Sequence, residues 1–399
     1  MTGTGTASPA WLDAVAHLVD GGHLTGPGEL ADLVATAVEK TSATADVYVV
    51  DYEQRVLRPL SGGAGEPIDG SAAGQAFTTL RVVPATEAGS RSRFWVPIVN
   101  GTERLGVMLA TLASQADPGR ELAGCGLFAG MIGHLLTGKS KYGDHVERLR
   151  RSRPMTPAAD LLWNILPPLT FASPRMVVTA ILEPCYDVGG DAFDYAVDGD
   201  TARVGVFDAV GKGMRAALTT AAALAAIRTN RRAGGDLAAV IAAADQTLRA
   251  EFTDSRFVTA VMADLHLRTG RLRYVNAGHP PPVLFHDGTA VQTLAGGRRT
   301  PLGIEQPVVE PAEVRFRPGD RLLLYSDGVT EARDASGRQF GLDRLVALAE
   351  QVSHADLPAP ETLRALAHAV VDHQAGPPRD DATLVLLEWS ADAAARAVP

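Results

Sequence analysis

Apolar residues recur at helical spacing twice near the start of the chain, at Trp11, Leu12, Val15 and Leu18 and again at Leu30, Leu33, Val34 and Val38. That spacing predicts two amphipathic helices. Strand patterning follows over residues 46–52 and 56–60. The stretch 61–74, rich in Gly, Ala and Ser, reads as a loop. Two further strands, 94–99 and 105–111, are joined through Asn100-Gly101, a hairpin signal. An apolar helix over 122–136 closes the series. Residues 10–138 therefore predict an α+β domain of ordinary size, preceded by a disordered N-terminus over residues 1–9.

The pattern changes over residues 139–170. Arg148, Arg150, Arg151 and Arg153 cluster, and Leu149, Leu161, Leu162, Ile165 and Leu166 follow. A helical linker broken near Pro154 and Pro157 is expected. It fits either a solvated linker helix or a signalling helix that packs in a dimer. Residues 171–390 are richer in strands, at 176–182, 203–208, 257–267, 272–276, 283–286, 322–326 and 383–389. Helices fit 214–229, 237–251, 342–352 and 361–373. They come in pairs between runs of strands, which predicts stacked antiparallel sheets flanked by helices and not a βαβ repeat. Residues 391–399 are left as a C-terminal tail.

Composition narrows the class. With 399 residues, 46% hydrophobic and 21% charged, the chain is an ordinary globular protein with material for two cores. The net charge of −9 gives no basic footprint for nucleic acid. No apolar run approaches the roughly 20 residues that span a bilayer, and no signal peptide is evident. The two cysteines, Cys125 and Cys185, lie far apart in sequence, which argues against a disulfide framework and fits a reducing compartment. A cytoplasmic location is expected. Cys125, on an apolar helix, reads as a small core residue.

Candidate chemistry rests on aspartates placed where apolar strands run out. Asp191 follows Gly189-Gly190, Asp208 ends Val204-Gly205-Val206-Phe207, Asp327 follows Leu322 to Ser326, and Asp380-Asp381 precede the last strand. A carboxylate buried alone is costly, so such a set calls for a cation or for solvent. Oxygen donors without His or Cys beside them suit Mg²⁺ or Mn²⁺. Any single Asp-Gly is equally well a turn, and Asp198-Gly199 and Asp287-Gly288 are read that way. Other phosphate chemistries fail on spacing. The Arg of a Cys-x5-Arg loop is replaced by Asp191 after Cys185 and by Met131 after Cys125. A P-loop ending at Gly211-Lys212 finds Gly205 one residue too early and Gly213 in place of Ser or Thr. No EF-hand loop fits near Asp191, and the histidines lack zinc spacing.

The flanks of these aspartates carry a family resemblance. Val188-Gly189-Gly190-Asp191-Ala192-Phe193-Asp194, Asp208-Ala209-Val210-Gly211-Lys212-Gly213-Met214, Tyr274-Val275-Asn276-Ala277-Gly278-His279-Pro280, Tyr325-Ser326-Asp327-Gly328-Val329-Thr330-Glu331 and Asp380-Asp381-Ala382-Thr383 together resemble, in order and spacing, the bacterial PP2C-like (PPM) serine/threonine phosphatases of the RsbU/SpoIIE type. The resemblance implies a PP2C-like α-β-β-α sandwich over residues 171–390. It implies two or more Mn²⁺ or Mg²⁺ ions that activate a water for attack on phosphorus. Asp208 and the Ala209 carbonyl, with Asp327 and Asp380, are the implied ligands; Asp191 helps directly or through water, and Asp381, where many relatives have Asn, belongs to the metal site behind the direct ligands. The implied substrate is a phosphorylated anti-anti-sigma (STAS-domain) protein in partner switching. A non-catalytic scaffold and a hydrolase of small phosphate esters are the alternatives.

The second motif lacks the histidine that eukaryotic members carry, so no leaving-group acid is evident. His279 is read as structural, closing the turn before Pro280-Pro281-Pro282, with an acid role as the alternative. Lys212 stands either beside the substrate phosphate or in solvent. Residues 10–138 resemble a GAF domain through Val47 to Asp51, Gly74-Gln75-Ala76-Phe77, Trp95-Val96-Pro97-Ile98 and Arg104-Leu105-Gly106-Val107. That resemblance implies either a small-molecule sensor or a module that only dimerises; a homodimer is expected.

Overall fold

The computed structural model describes residues 7–85, 92–112, 118–183, 186–187, 189–252, 254, 256–306, 310–354, 357–375 and 380–390. The expectations placed on residues 1–6, Cys185, Val188 and 391–399 lie outside them. The chain divides into two units, with the boundary between Arg153 and Pro154.

In the first unit α1 (Pro9–Gly22), α2 (Leu30–Val38), β1 (Thr44–Val50), β2 (Val56–Pro59), β3 (Glu66–Pro67), α3 (Ala72–Thr79), β4 (Val83–Pro84), β5 (Ser92–Asn100), β6 (Glu103–Leu112), α4 (Pro118–Lys139) and α5 (His145–Arg150) follow in order. The strands form one antiparallel sheet in the order β3-β2-β1-β6-β5-β4. One face packs on α1, α2 and α4 through Trp11, Leu18, Ile98, Met108, Phe128 and Ile132. The other carries α3, with Phe77, Trp95 and Val107. Asn100-Gly101 does turn the β5–β6 hairpin, with Gly101 at φ +60. Cys125 is fully buried, and burial pushes its thiol up to about 12, so it is an inert core residue. The loop expected over 61–74 is shorter than the sequence suggested. Ser71 Oγ accepts from Gly74 N and starts α3. Gly74 is required there because a Cβ would lie 1.7 Å from Ile68 O.

The stretch expected as a linker is shared between the units. α5 packs on β1 and β2, whereas α6 (Pro157–Ile165), capped by Thr156, belongs to the second unit. There β7 (Thr170–Ser173), β8 (Met176–Glu183), β9 (Asp191–Asp198), β10 (Thr201–Ala209), α7 (Met214–Arg232), α8 (Leu237–Glu251), β11 (Val258–His266), β12 (Arg271–Ala277), β13 (Val283–His286), β14 (Thr289–Thr293), β15 (Arg298–Arg299), β16 (Ala312–Arg315), β17 (Asp320–Tyr325), α9 (Asp327–Glu331), α10 (Leu342–His354), α11 (Ala359–His373) and β18 (Ala382–Trp389) follow. Two six-stranded sheets result: β15-β12-β11-β10-β9 with β16 on β12, and β14-β13-β17-β18-β8-β7.

Strand periodicity explains the layers. In β10, Val204 and Val206 face the second sheet, while Phe207 and Ala209 face α7 and α8. In β17, Leu322 and Leu324 face the first sheet, while Leu323 and Tyr325 face α10 and α11. Strands buried on both faces read as nearly continuous apolar runs, as Met176 to Leu182 does but for Thr179. The expected α-β-β-α sandwich is what forms. Among the described residues no helix is long and apolar enough to cross a membrane.

Candidate metal and phosphate site

The site grows out of the same alternation. Along β10 the inter-sheet face runs Val204, Val206, Asp208; along β9, read backwards, it runs Val197, Tyr195, Phe193, Asp191. Thr259 continues that face beyond Val261 in β11, and Thr383 continues it beyond Val385 in β18. Apolar residues give way to polar ones at one end of the sandwich. Asp191 and Asp208 are direct partners in the β9–β10 register. Asp191 is thus not at the end of a strand, as expected, but opens one. Asp327 likewise opens α9 and does not sit in a turn.

Two glycines of the motifs are demanded by close approach. A Cβ on Gly328 would stand 1.9 Å from Asp381 O, and one on Gly190 2.8 Å from Ala209 O. Gly328 lets the start of α9 lie against the segment with Asp380 and Asp381 that leads into β18. Asp198-Gly199 and Asp287-Gly288 prove to be turns, with Gly199 at φ +55 and Gly288 at φ +77.

The carboxylates differ in what they touch. Asp191 is buried and accepts from Thr383 Oγ1 at 2.6 Å. Asp381 Oδ2 accepts three backbone N–H groups, from Gly189 at 2.7 Å, Gly190 at 2.8 Å and Asp191 at 3.2 Å. It therefore shapes the Gly-Gly-Asp loop, which explains why an Asn would serve at that position. Asp327 and Asp380 are exposed. Lys212 Nζ lies 3.3 Å from Asp380 Oδ1, so it stands at the site, paired with a carboxylate.

Charge crowding is the main electrostatic feature. Burial, then the charges of Asp327, Asp380 and Asp381, push the Asp208 carboxyl up to about 7. Asp191 is held well above the usual carboxylate range by burial and by Asp208 and Asp381. Asp327 is raised by burial and by Asp380, and Asp381 by burial, despite its three N–H donors. Among the described residues no three acidic, His or Cys side chains lie close enough to hold one ion in their present rotamers. The crowding nevertheless fits cations: the donors are hard oxygens, and the same repulsion that raises their pKa values is what a divalent ion offsets. A cavity of about 360 Å³ opens beside Asp380 and Gly328, lined also by Glu331, Arg333, Asp334 and Gln374.

Sequence reasoning missed Asp194. It is buried in β9 and paired with Arg228 Nη2 at 2.7 Å and Arg231 Nη1 at 2.5 Å on α7. Its partners lie more than thirty positions away, so no local signal marks it as structural.

Residues 198–390 match the family model for Stage II sporulation protein E (SpoIIE). The phosphoserine phosphatases RsbU and RsbP of Bacillus subtilis (strain 168) are each 27% identical to this chain, over 163 and 151 residues. Those matches cover 40% and 36% of this chain and 48% and 37% of the relatives, so the chain spans about half their length or less. The SiaA-PP2C domain of Pseudomonas aeruginosa superposes with a TM-score of 0.50 at 26% identity, covering 63% of this chain and 99% of that one. The second unit of the chain is a PP2C-like domain of the RsbU/SpoIIE type.

Proposed function

We propose that the chain is a metal-dependent protein phosphatase acting on phosphoserine or phosphothreonine. The observation that carries the proposal is the crowding at Asp208, whose carboxyl is pushed up to about 7 by burial and three neighbouring aspartates. Asp208, the Ala209 carbonyl, Asp327 and Asp380 would hold two or more Mn²⁺ or Mg²⁺ ions, with Asp191 in support. Divalent cations there supply charge neutralisation on phosphoryl oxygens and lower the pKa of a water. The residues of the chain supply the frame. Thr383 orients Asp191 and Asp381 holds the 189–191 backbone; Lys212, paired with Asp380, would exchange that carboxylate for a substrate phosphate.

The relatives named as phosphoserine phosphatases support the substrate class. On the same resemblance, the partner is a phosphorylated anti-anti-sigma (STAS-domain) protein in the cytoplasm, and the enzyme works as a homodimer. The GAF-like first unit would regulate it, with or without a small-molecule ligand. The experiment is phosphate release from a phosphoserine peptide with Mn²⁺, set against p-nitrophenyl phosphate. Peptide turnover that fails in Asp208→Ala supports the reading. Turnover of the small ester alone favours a small-molecule hydrolase, and turnover of neither favours a scaffold.

A further inference from the structure

Asp208 stands on a strand of one sheet and Asp327 at the start of α9, just after a strand of the other, yet a shared site needs them at a fixed separation. Between the sheets lie mostly apolar contacts, which are non-directional. Thr383 and Asp381 tie β18 to the start of β9; a separate polar path runs from β11 to β17, beside Asp208 and Asp327. Thr259 is the β11 partner of Asp208. Its Oγ1 lies 2.7 Å from His279 Nδ1. His279 Nε2 lies 3.1 Å from the carbonyl of Tyr325, two residues before Asp327.

The chemistry of the partners fixes the tautomer. A carbonyl only accepts, so Nε2 carries the proton and donates it to Tyr325 O. Nδ1 is then an acceptor, and the Thr259 hydroxyl donates to it. His279 is 3% exposed, and burial lowers its pKa to about 4, so the ring is neutral at working pH. Both ring nitrogens are committed within the protein, which leaves none for a leaving group. The ring itself is held in place. Asn276 Nδ2 donates to His279 O at 2.9 Å, and Asn276 Oδ1 accepts from His279 N at 2.8 Å. Gly278, at φ +71, makes the turn between them.

We propose that His279 is a positioning residue: a cross-sheet strut, from Thr259 to Tyr325, that sets the separation of Asp208 and Asp327 and thereby their joint hold on cations. The proposal rests on the metal-dependent reading above. Directional hydrogen bonds of this kind hold functional groups within about 0.5 Å of working geometry. Loss of a partner bonded directly to a ligand costs about 10- to 100-fold in metal affinity; His279 acts one step further out, so the lower end of that range is expected.

The test uses the full-length protein stripped with EDTA. Calorimetric titration with MnCl₂ is compared for wild type, His279→Ala, His279→Gln and Thr259→Val, together with kcat and KM for p-nitrophenyl phosphate against pH. Expected is about tenfold weakening of Mn²⁺ binding in His279→Ala and Thr259→Val. At saturating Mn²⁺, kcat recovers and the pH profile keeps its shape. His279→Gln, whose amide N–H reaches toward the Tyr325 carbonyl, regains part of the affinity. Wild-type Mn²⁺ affinity in the variants overturns the strut. So does selective loss of the basic limb of the kcat profile in His279→Ala, which marks a leaving-group acid. Should His279→Ala not fold, Thr259→Val, a near-isosteric change at a half-buried position, decides. Mn²⁺ binding by wild type that is lost in Asp208→Asn establishes the metal reading independently of His279. No binding by wild type removes both.

Discussion

Replacing Asp208 with Asn removes a charge that the fold holds at a cost. The carboxyl ordinarily titrates at 3.8 and is pushed up to about 7 in the folded protein by burial and by its aspartate neighbours. Between those values the unfolded chain is ionised while the folded one keeps the proton. The folded state then binds more protons, so raising the pH through this window lowers stability. Above about 7 the whole penalty is present; below 3.8 none is. At about 1.4 kcal/mol per pH unit, the upper bound is about 4 kcal/mol. Partial solvent access and proton sharing with Asp191 reduce it to roughly 2 kcal/mol. For a unit of this size that is a shift of about 4–8 °C in melting temperature. The assay is scanning calorimetry of EDTA-treated full-length protein, following the transition of the second unit between pH 5 and 8. Wild type should lose stability with rising pH, and Asp208→Asn should lose less, melting about 4–8 °C above wild type at pH 8. The gap should narrow toward pH 5. Added Mn²⁺ should reverse the order by stabilising wild type only. A gap that does not change with pH, or an Asp208→Asn protein less stable at pH 8 without metal, refutes the crowding argument.

Asp381 separates clamp from ligand. Asp381→Ala strips three backbone donors of their acceptor and should cost about 1–3 kcal/mol in urea unfolding. Asp381→Asn keeps an oxygen acceptor, so it should stay within about 1 kcal/mol of wild type and still bind Mn²⁺ by calorimetry. If it loses Mn²⁺ as completely as Asp208→Asn does, Asp381 is a ligand after all. Gly328→Ala places a Cβ 1.9 Å from Asp381 O, a backbone atom that has no rotamer to yield. It should lose about 3 kcal/mol or more, along with any Mn²⁺-dependent turnover of p-nitrophenyl phosphate that the wild type shows. A stable, active Gly328→Ala variant would show that the α9–β18 approach is not required.

The sandwich was legible because its central strands are apolar on both faces: the runs at 176–182 and 322–326 and the helix pairs at 214–251 and 342–373 sufficed. The polar ends of those strands were legible too, as Val204-x-Val206-x-Asp208. β9 was not. It begins with Asp191 and carries Asp194 in its middle, and an aspartate inside a strand reads as a turn unless Arg228 and Arg231 are known to lie over it. The two Asp-Gly classes were separable only by their flanks, not by the dipeptide. Gly288 is needed for its positive φ, and Gly328 for the space beside Asp381; the dipeptide is the same. His279 was legible as a structural residue and Asp381 as one behind the direct ligands, but the contacts they make were not. Their roles depend on backbone atoms of residues 189–191 and 325, which no side-chain pattern announces.

The central claim, that the crowded aspartates serve a metal-dependent hydrolysis, meets its most direct test in one titration. EDTA-stripped full-length protein is assayed on p-nitrophenyl phosphate as Mn²⁺ is added back, beside Asp208→Ala. The account predicts no turnover without metal, saturable recovery with Mn²⁺ in wild type, and none in Asp208→Ala. Turnover that persists in EDTA, or that Asp208→Ala matches, would contradict it.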